Sequence, residues 1–307
     1  MTPAVLVEGL EFSYTQKQVL KGLSLKVGAG QFFAIAGPNG GGKSTLFRIL
    51  STLLVPSAGK VEIMGADLKR NPLEVRKQMG VLFQSPALDK KLTVFENLFC
   101  HARLFGIEKA EIKSRITDVL KRFDLERSRD SRVETLSGGM KRRVEIAKAL
   151  ISKPRVLLLD EPTTGLDPVA RTEVWNFISA LRKETGVTVL FTTHLLDEAD
   201  ACDGLVFLDD GKIILEGTPD SLKALIGGDI ISLKTKNVAG LSDAIWNKFQ
   251  LRGKIVGEEL RIEKERGAEF IPALVESFAK EIDSVTLGRP TLEDLFIQKT
   301  GKRLLGV

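Results

Sequence analysis

The chain has 307 residues, 43% of them apolar, and carries 45 Lys and Arg against 40 Asp and Glu, a formal net charge of +5. That is apolar content enough for a large core and a smaller second one, while the positive excess is too slight to argue for a nucleic-acid partner. Two cysteines, Cys100 and Cys202, are too few for a disulfide framework and favour a reducing compartment; no apolar run approaches the ~20 residues that span a bilayer, and "MTPAVLVEGLEF" lacks the blocks of a signal peptide.

Residues 4 to 35 read as short strands separated by turns: "AVLVEGLEFSY", "LSLKV" and "QFFAIAG". Next comes "GPNGGGKST", Gly37 to Thr45, in which two glycines bracket four residues before Lys43 and Ser44. This is the phosphate-loop pattern. A phosphate needs many N–H donors at close range, and Gly40, Gly41 and Gly42 let the backbone of Pro38, Asn39 and their neighbours curl around it without Cβ clashes. Lys43 is placed to reach the β- and γ-phosphates, Ser44 to ligate Mg²⁺, and the start of the following helix adds its dipole. That helix is expected from Gly42 through "KSTLFRILSTLL" to the stop at Pro56.

Strands follow at "KVEIMG" and "QMGVLF", then residues 93 to 126 turn helical. In "LSGGMKRRVEIAKAL" a serine and two glycines precede an amphipathic pattern, which marks a helix N-terminus. Lys141, Arg142 and Arg143 crowd its first turn, where the helix dipole disfavours cations. A second anion site is therefore expected there. "VLLLDEP" reads as a buried strand whose carboxyl end delivers Asp160 and Glu161, the first to hold Mg²⁺ and the second to polarise an attacking water. A helical segment, 168 to 184, leads to the strand "VTVLFTTH", which closes on His194, where it could hydrogen-bond a γ-phosphate. His101 belongs to no motif. The main part is thus expected to be α/β, with a helical insertion at about 85–155.

Composition shifts near "EGTPDSLK", predicting a boundary at residues 222 and 223. Beyond it the elements run β (229–236), α (240–250), β (252–257), β (259–265), α (267–281), β (283–288) and a final helix (291–300). The first six suggest a ferredoxin-like split βαβ unit of α+β type.

A phosphate loop, "LSGGM", "VLLLDE", "TGLD" and a later strand-end His, in this order, resemble the nucleotide-binding subunit of an ATP-binding cassette (ABC) transporter over residues 4 to about 220. The resemblance implies a phosphate-loop NTPase core with an antiparallel β subdomain and an α-helical subdomain, hydrolysing ATP with Mg²⁺. Two such chains would dock head to tail, each ATP lying between one phosphate loop and the other chain's Ser137, Gly138 and Gly139. Tyr14 stands where the family stacks an aromatic on adenine, Gln84 matches the glutamine that touches the Mg²⁺ site, and Asp167 matches the loop linking the two sites. Met140 departs from the family's usual Gln. The tail, with "PTLEDLFIQKTG" from Pro290 to Gly301, resembles the accessory domain of the multidrug, antibiotic-resistance and lipid-export subgroup. The implied partner is an integral membrane permease, holding the chain peripherally on the cytoplasmic face. The implied role is energy coupling in an exporter, with a cassette that passes motion to a membrane partner without transport as the alternative. Against a nucleic-acid cassette, the chain has neither long coiled coils between the motifs nor a second cassette.

Overall fold

A computed structural model describes residues 2–301; the expected domain limits at residue 1 and at 302–307 lie outside the described residues. By their internal contacts the residues form two compact units, one running to Thr193 and including Cys202–Ile214, the other made of His194–Ala201 and the chain from Leu215 onward. The division therefore falls about eight residues before the boundary read at 222, and a short segment after His194 joins the second unit.

In the first unit, β1 (Val5–Tyr14), β2 (Lys17–Val27), β4 (Ala58–Ile63) and β5 (Ala66–Asp67) form an antiparallel sheet in the order β2-β1-β4-β5. A second sheet holds β3 (Phe32–Ala36), β6 (Met79–Leu82), β7 (Val156–Asp160), β8 (Thr188–Thr193), β9 (Gly204–Asp209) and β10 (Lys212–Gly217), in the order β10-β9-β3-β8-β7-β6. Strands β9, β3, β8, β7 and β6 pair in parallel. All residues of β3, β7 and β8 are buried, the continuous apolar habit of strands covered on both faces. The core joins both sheets through Leu46, Phe47, Ile49 and Leu50 of α1 (Lys43–Leu50). This helix ends earlier than the sequence suggests. Thr52 enters the left-handed region (φ 64), and the N–H groups of Leu53 and Leu54 both turn back to the carbonyl of Arg48. Helix α2 (Pro72–Gln78) and strands β5, β9 and β10 are additions to the sequence-based scheme.

The helical insertion comprises α3 (Val94–Leu104), α4 (Lys109–Arg122) and α5 (Gly138–Leu150). Thr93 and Glu96 close a capping box at the start of α3, and Val94, Leu98 and Ala102 recur on its buried face. His101 lies on α3 with its ring 4.6 Å from that of Phe105, and burial, aided by the charge of Lys148, lowers its pKa to about 4. The unfolded chain then binds more protons than the folded one between about pH 4 and the ordinary histidine value of ~6.5, so stability falls as pH drops through that window. We expect His101→Asn to flatten the slope of thermal midpoint against pH between pH 4.5 and 7; an unchanged slope would assign it to other groups. Helix α6 (Pro168–Thr185) begins at Asp167 and ends at Gly186, packing Val174, Ile178 and Leu181 inward.

The second unit contains α7 (Leu196–Ala199), α8 (Pro219–Lys223), α9 (Val238–Phe249), α10 (Gly267–Phe278) and α11 (Leu292–Thr300). Its sheet, β11 (Asp229–Lys234), β12 (Lys254–Val256), β13 (Glu259–Lys264) and β14 (Ser284–Gly288), is antiparallel in the order β12-β13-β11-β14. Ile231, Leu233, Leu260 and Ile262 of the sheet meet Leu241, Ile245, Leu274 and Phe278 of α9 and α10 in a separate core. Arg261 on β13 bonds Asp294 on α11 at 2.7 Å. Lys223 pairs with Asp200 at 2.8 Å, tying α8 to the segment after His194.

Candidate active site

The loop Gly37–Gly42 joins the carboxyl end of β3 to the start of α1, and its glycines answer a packing demand. A Cβ on Gly37 would lie 2.1 Å from the carbonyl oxygen of Leu208 on β9, and one on Gly41 2.7 Å from the same atom. Gly37 also holds φ 151, Gly40 φ 82 and Gly42 φ 107. The loop is seated directly on the β9 backbone and leads into the start of α1, the kind of helix N-terminus that favours a bound anion. Lys43 is buried and donates from Nζ to the carbonyls of Gly37 (2.7 Å) and Pro38 (3.0 Å). Burial lowers its pKa, while the negative charges of Glu161 and Asp160 oppose the shift.

A cleft of about 380 Å³ is lined by Asn39, Gly40, Lys43, Ser44, Gln84 and Glu161, with Gly42 and Thr45 also on its wall. Thus residues from the first and last thirds of the unit meet where β3, β6 and β7 end. Asp160 is the last residue of β7; burial raises its pKa, opposed by the hydrogen bond from Thr192 Oγ1 (2.6 Å) and reinforced by the charge of Glu161. The same hydroxyl accepts from the N–H of Glu161 (3.0 Å), so one threonine on β8 fixes both acids. Glu161 sits at φ 45 and is buried. Its Oε2 accepts from Gln84 Nε2 at 3.0 Å and Thr164 Oγ1 at 3.1 Å. A carboxylate so held is aimed into the cleft beside Lys43, the arrangement required of a base or polarising group near bound phosphate.

The other residues singled out in the sequence lie elsewhere. Tyr14 ends β1, 40% exposed, with its ring edge-on to Phe12 at 4.8 Å. Ser137 is exposed and caps α5, accepting from the N–H of Met140 at 3.2 Å. A Cβ on Gly138 would meet nothing within 4 Å, whereas one on Gly139 would come 3.3 Å from the Cβ of Ala170. Asp167 caps α6, accepting from the N–H groups of Val169 (3.0 Å) and Ala170 (2.9 Å). His194 directly follows β8 and belongs to the second unit.

The three cations after Met140 have partners within the chain, so an anion at this helix start is not needed to account for them. Lys141 donates to the carbonyl of Glu134 (3.3 Å), Arg143 pairs with Glu173, and Arg142 turns inward, where it is 7% exposed. Thr164, Thr192, Arg142 and Glu145 are the site residues that sequence reasoning missed. The opposite charges of Arg142 and Glu145 at spacing i, i+3 were the available signal for the last two.

The sequence matches the ABC transporter family over residues 20–164. It is 40% identical over 305 residues to the daunorubicin resistance ATP-binding protein DrrA3 of Streptomyces coeruleorubidus, covering 97% of this chain and 96% of that one. Identity is 38% over 304 residues to the Nod factor export ATP-binding protein I of Paraburkholderia xenovorans, with 98% of both chains covered. Among solved structures, cbiO1 from Clostridium perfringens, part of the ABC transporter complex cbiONQ, superposes with a TM-score of 0.68 at 30% identity, covering 81% of this chain and 97% of its own. The cassette MJ0796, solved as a dimer bound to ADP and Pi, gives 0.63 at 29% identity, covering 70% of this chain and 98% of that one. Because likeness of this extent accompanies a phosphate loop facing a buried, hydrogen-bonded glutamate, the chain belongs to the ABC transporter family, as an ATP-binding subunit with the α/β ABC ATPase fold whose ATP hydrolysis is coupled to transport.

Proposed function

We propose that this subunit powers export through a separate membrane permease by closing on ATP as a head-to-tail dimer. The observation that carries the reading is the division of phosphate-binding features within one chain. Lys43, Gln84 and Glu161 share a cleft, whereas Ser137 caps an exposed helix start that does not line it. The second feature is then available to a nucleotide held by another copy. Export is named for the Nod factor relative, and drug resistance for the daunorubicin relative.

In this reading the loop N–H groups and Lys43 hold the phosphates, Tyr14 supports adenine, and Glu161, oriented by Gln84 and Thr164, polarises the attacking water. His194 contacts the γ-phosphate, and Asp167 connects the two sites. No group of three or more His, Cys, Asp or Glu among the described residues could hold a metal ion. Ser44, Asp160 and Gln84 offer few, hard oxygen donors instead, which suits Mg²⁺, an ion that keeps several waters and shares itself with substrate phosphates. When bound it would neutralise phosphate charge. The β12-β13-β11-β14 order, antiparallel throughout, supports reading the chain from about 223 as a ferredoxin-like accessory domain, leaving the ATP-binding domain as residues 1–222.

Among the described residues no helix is long and apolar enough to cross a membrane, so the proposed attachment to the cytoplasmic face runs through the permease. Fractionation tests this. The subunit is expected in the membrane fraction when the permease, a protein of about six spanning helices, is present, and in the supernatant when its gene is deleted. Equal partition in both strains would sink the proposed partnership.

A further inference from the structure

Helix α5 begins at Ser137, and its inward face carries Arg142 and, one turn on, Glu145, which is 4% exposed. The Arg142 guanidinium donates from Nε to the carbonyl of Pro162 (2.6 Å) and from Nη2 to those of Glu161 (3.0 Å) and Asp160 (3.4 Å). Three successive carbonyls thus curl around one cation. Its Nη1 donates to the carbonyl of Phe83 (3.0 Å) and to Glu145 Oε2 (2.9 Å). Five acceptors meet the five N–H donors of an arginine. Glu145 Oε1 in turn accepts from the N–H of Ala87 (2.7 Å), and Lys148, a further turn along, donates to the carbonyl of the same residue.

Two segments are held in this way, and both carry reacting-end residues: the turn 160–162, with Glu161 at φ 45, and the loop 83–87, with Gln84. A non-glycine residue in the left-handed region persists where its surroundings over-determine it, and the guanidinium supplies that constraint.

We propose that Arg142, assisted by Glu145, is a positioning residue linking the two half-sites of one chain: the Ser137 end of α5, which serves the neighbour's nucleotide, and the Glu161–Gln84 pair, which serves its own. The inference rests on the head-to-tail reading above. A nucleotide drawing on the start of α5 in one site shifts the guanidinium, and with it the carbonyl turn that aims Glu161 in the other. Hydrolysis at each site then depends on occupancy of its twin, and turnover rises sigmoidally with ATP.

The test uses Arg142→Lys in the full chain, because an ammonium keeps the charge opposite Glu145 but cannot span the carbonyls on both sides. ATP affinity, measured by displacement of a fluorescent nucleotide, is expected to stay within about threefold, since the phosphate loop is untouched. The kcat is expected to fall by roughly 10–100-fold, the effect of misplacing a reacting group by about an ångström. The Hill coefficient should drop from above 1 to 1. If Arg142→Lys does not fold, Glu145→Gln, which keeps an acceptor but loses the charge, should lower both quantities by a smaller margin. Either folded variant with wild-type kcat and Hill coefficient overturns the proposal, as does a hyperbolic response of the wild type. Light scattering of Glu161→Gln with ATP separates the two readings. Failure to dimerise sinks the head-to-tail arrangement and this link with it, whereas a dimer whose turnover ignores Arg142 sinks the link alone.

Discussion

Glu161→Gln is expected to bind ATP with wild-type affinity and to hydrolyse it some 10²–10⁴-fold more slowly, the usual cost of losing a positioned base. At about 1.4 kcal/mol for each tenfold, this is roughly 3–5 kcal/mol of barrier. The substitution is close to isosteric, and the amide oxygen can still accept from Gln84 and Thr164, which bond Glu161 Oε2 in the native chain at 3.0 and 3.1 Å. The fold and the cleft wall are therefore preserved while the negative charge is lost. Lys43→Ala should do the opposite, weakening ATP binding itself, because it removes the buried cation from the loop. Nucleotide titration together with single-turnover hydrolysis distinguishes the two variants. Undiminished hydrolysis by Glu161→Gln would remove Glu161 from its proposed role.

The second large effect is complementation between two inactive chains. In a homodimer of Lys43→Ala, every composite site has a damaged phosphate loop; in a homodimer of Ser137→Arg, every site has a damaged signature. A mixed dimer segregates the lesions, one site receiving both and the other neither. Vanadate, which mimics the transferring phosphate, should then trap about one nucleotide per mixed dimer and almost none in either parent. Trapping is a better measure than steady turnover, which the coupling of the two sites can suppress. Two affinity tags show that mixed dimers have formed. If they form and trap no more than the parents, Ser137 does not act across an interface.

The site was legible in the sequence wherever its chemistry is local. The phosphate loop is contiguous and announces itself by glycine spacing, and Asp160 and Glu161 follow an unbroken apolar strand, so both could be placed without knowing the fold. Thr192 could not. It matters because β7 and β8 are paired, with Asp160 opposite Thr192, and strand order is not written in either segment. Arg142 was misread for a related reason. Its charge suggested solvent or a foreign anion, while its helical phase, shared with Glu145, pointed it at carbonyls from two distant segments. The end of α1 was overestimated because apolar residues continue to Leu54, and only the left-handed turn at Thr52 reveals that Leu54 packs on the core from outside the helix while Leu53 is exposed. In the tail every strand of the sheet was read at its place, with limits shifted by at most two residues.

Gly138 stands apart from the other glycines of the motifs. Gly37 and Gly41 are compelled by the β9 backbone, and Gly139 is confined by Ala170, but at Gly138 the space beyond the Cα is open and the backbone makes no left-handed demand. It opens α5, where alanine favours the helix over glycine by up to ~1 kcal/mol. An isolated chain evolving for durability alone would discard this glycine. On the head-to-tail reading proposed above, its presence is a constraint written from outside the molecule, an empty volume kept clear for the neighbour's nucleotide, so that at this one position the interests of the folded chain and of its assembly are opposed.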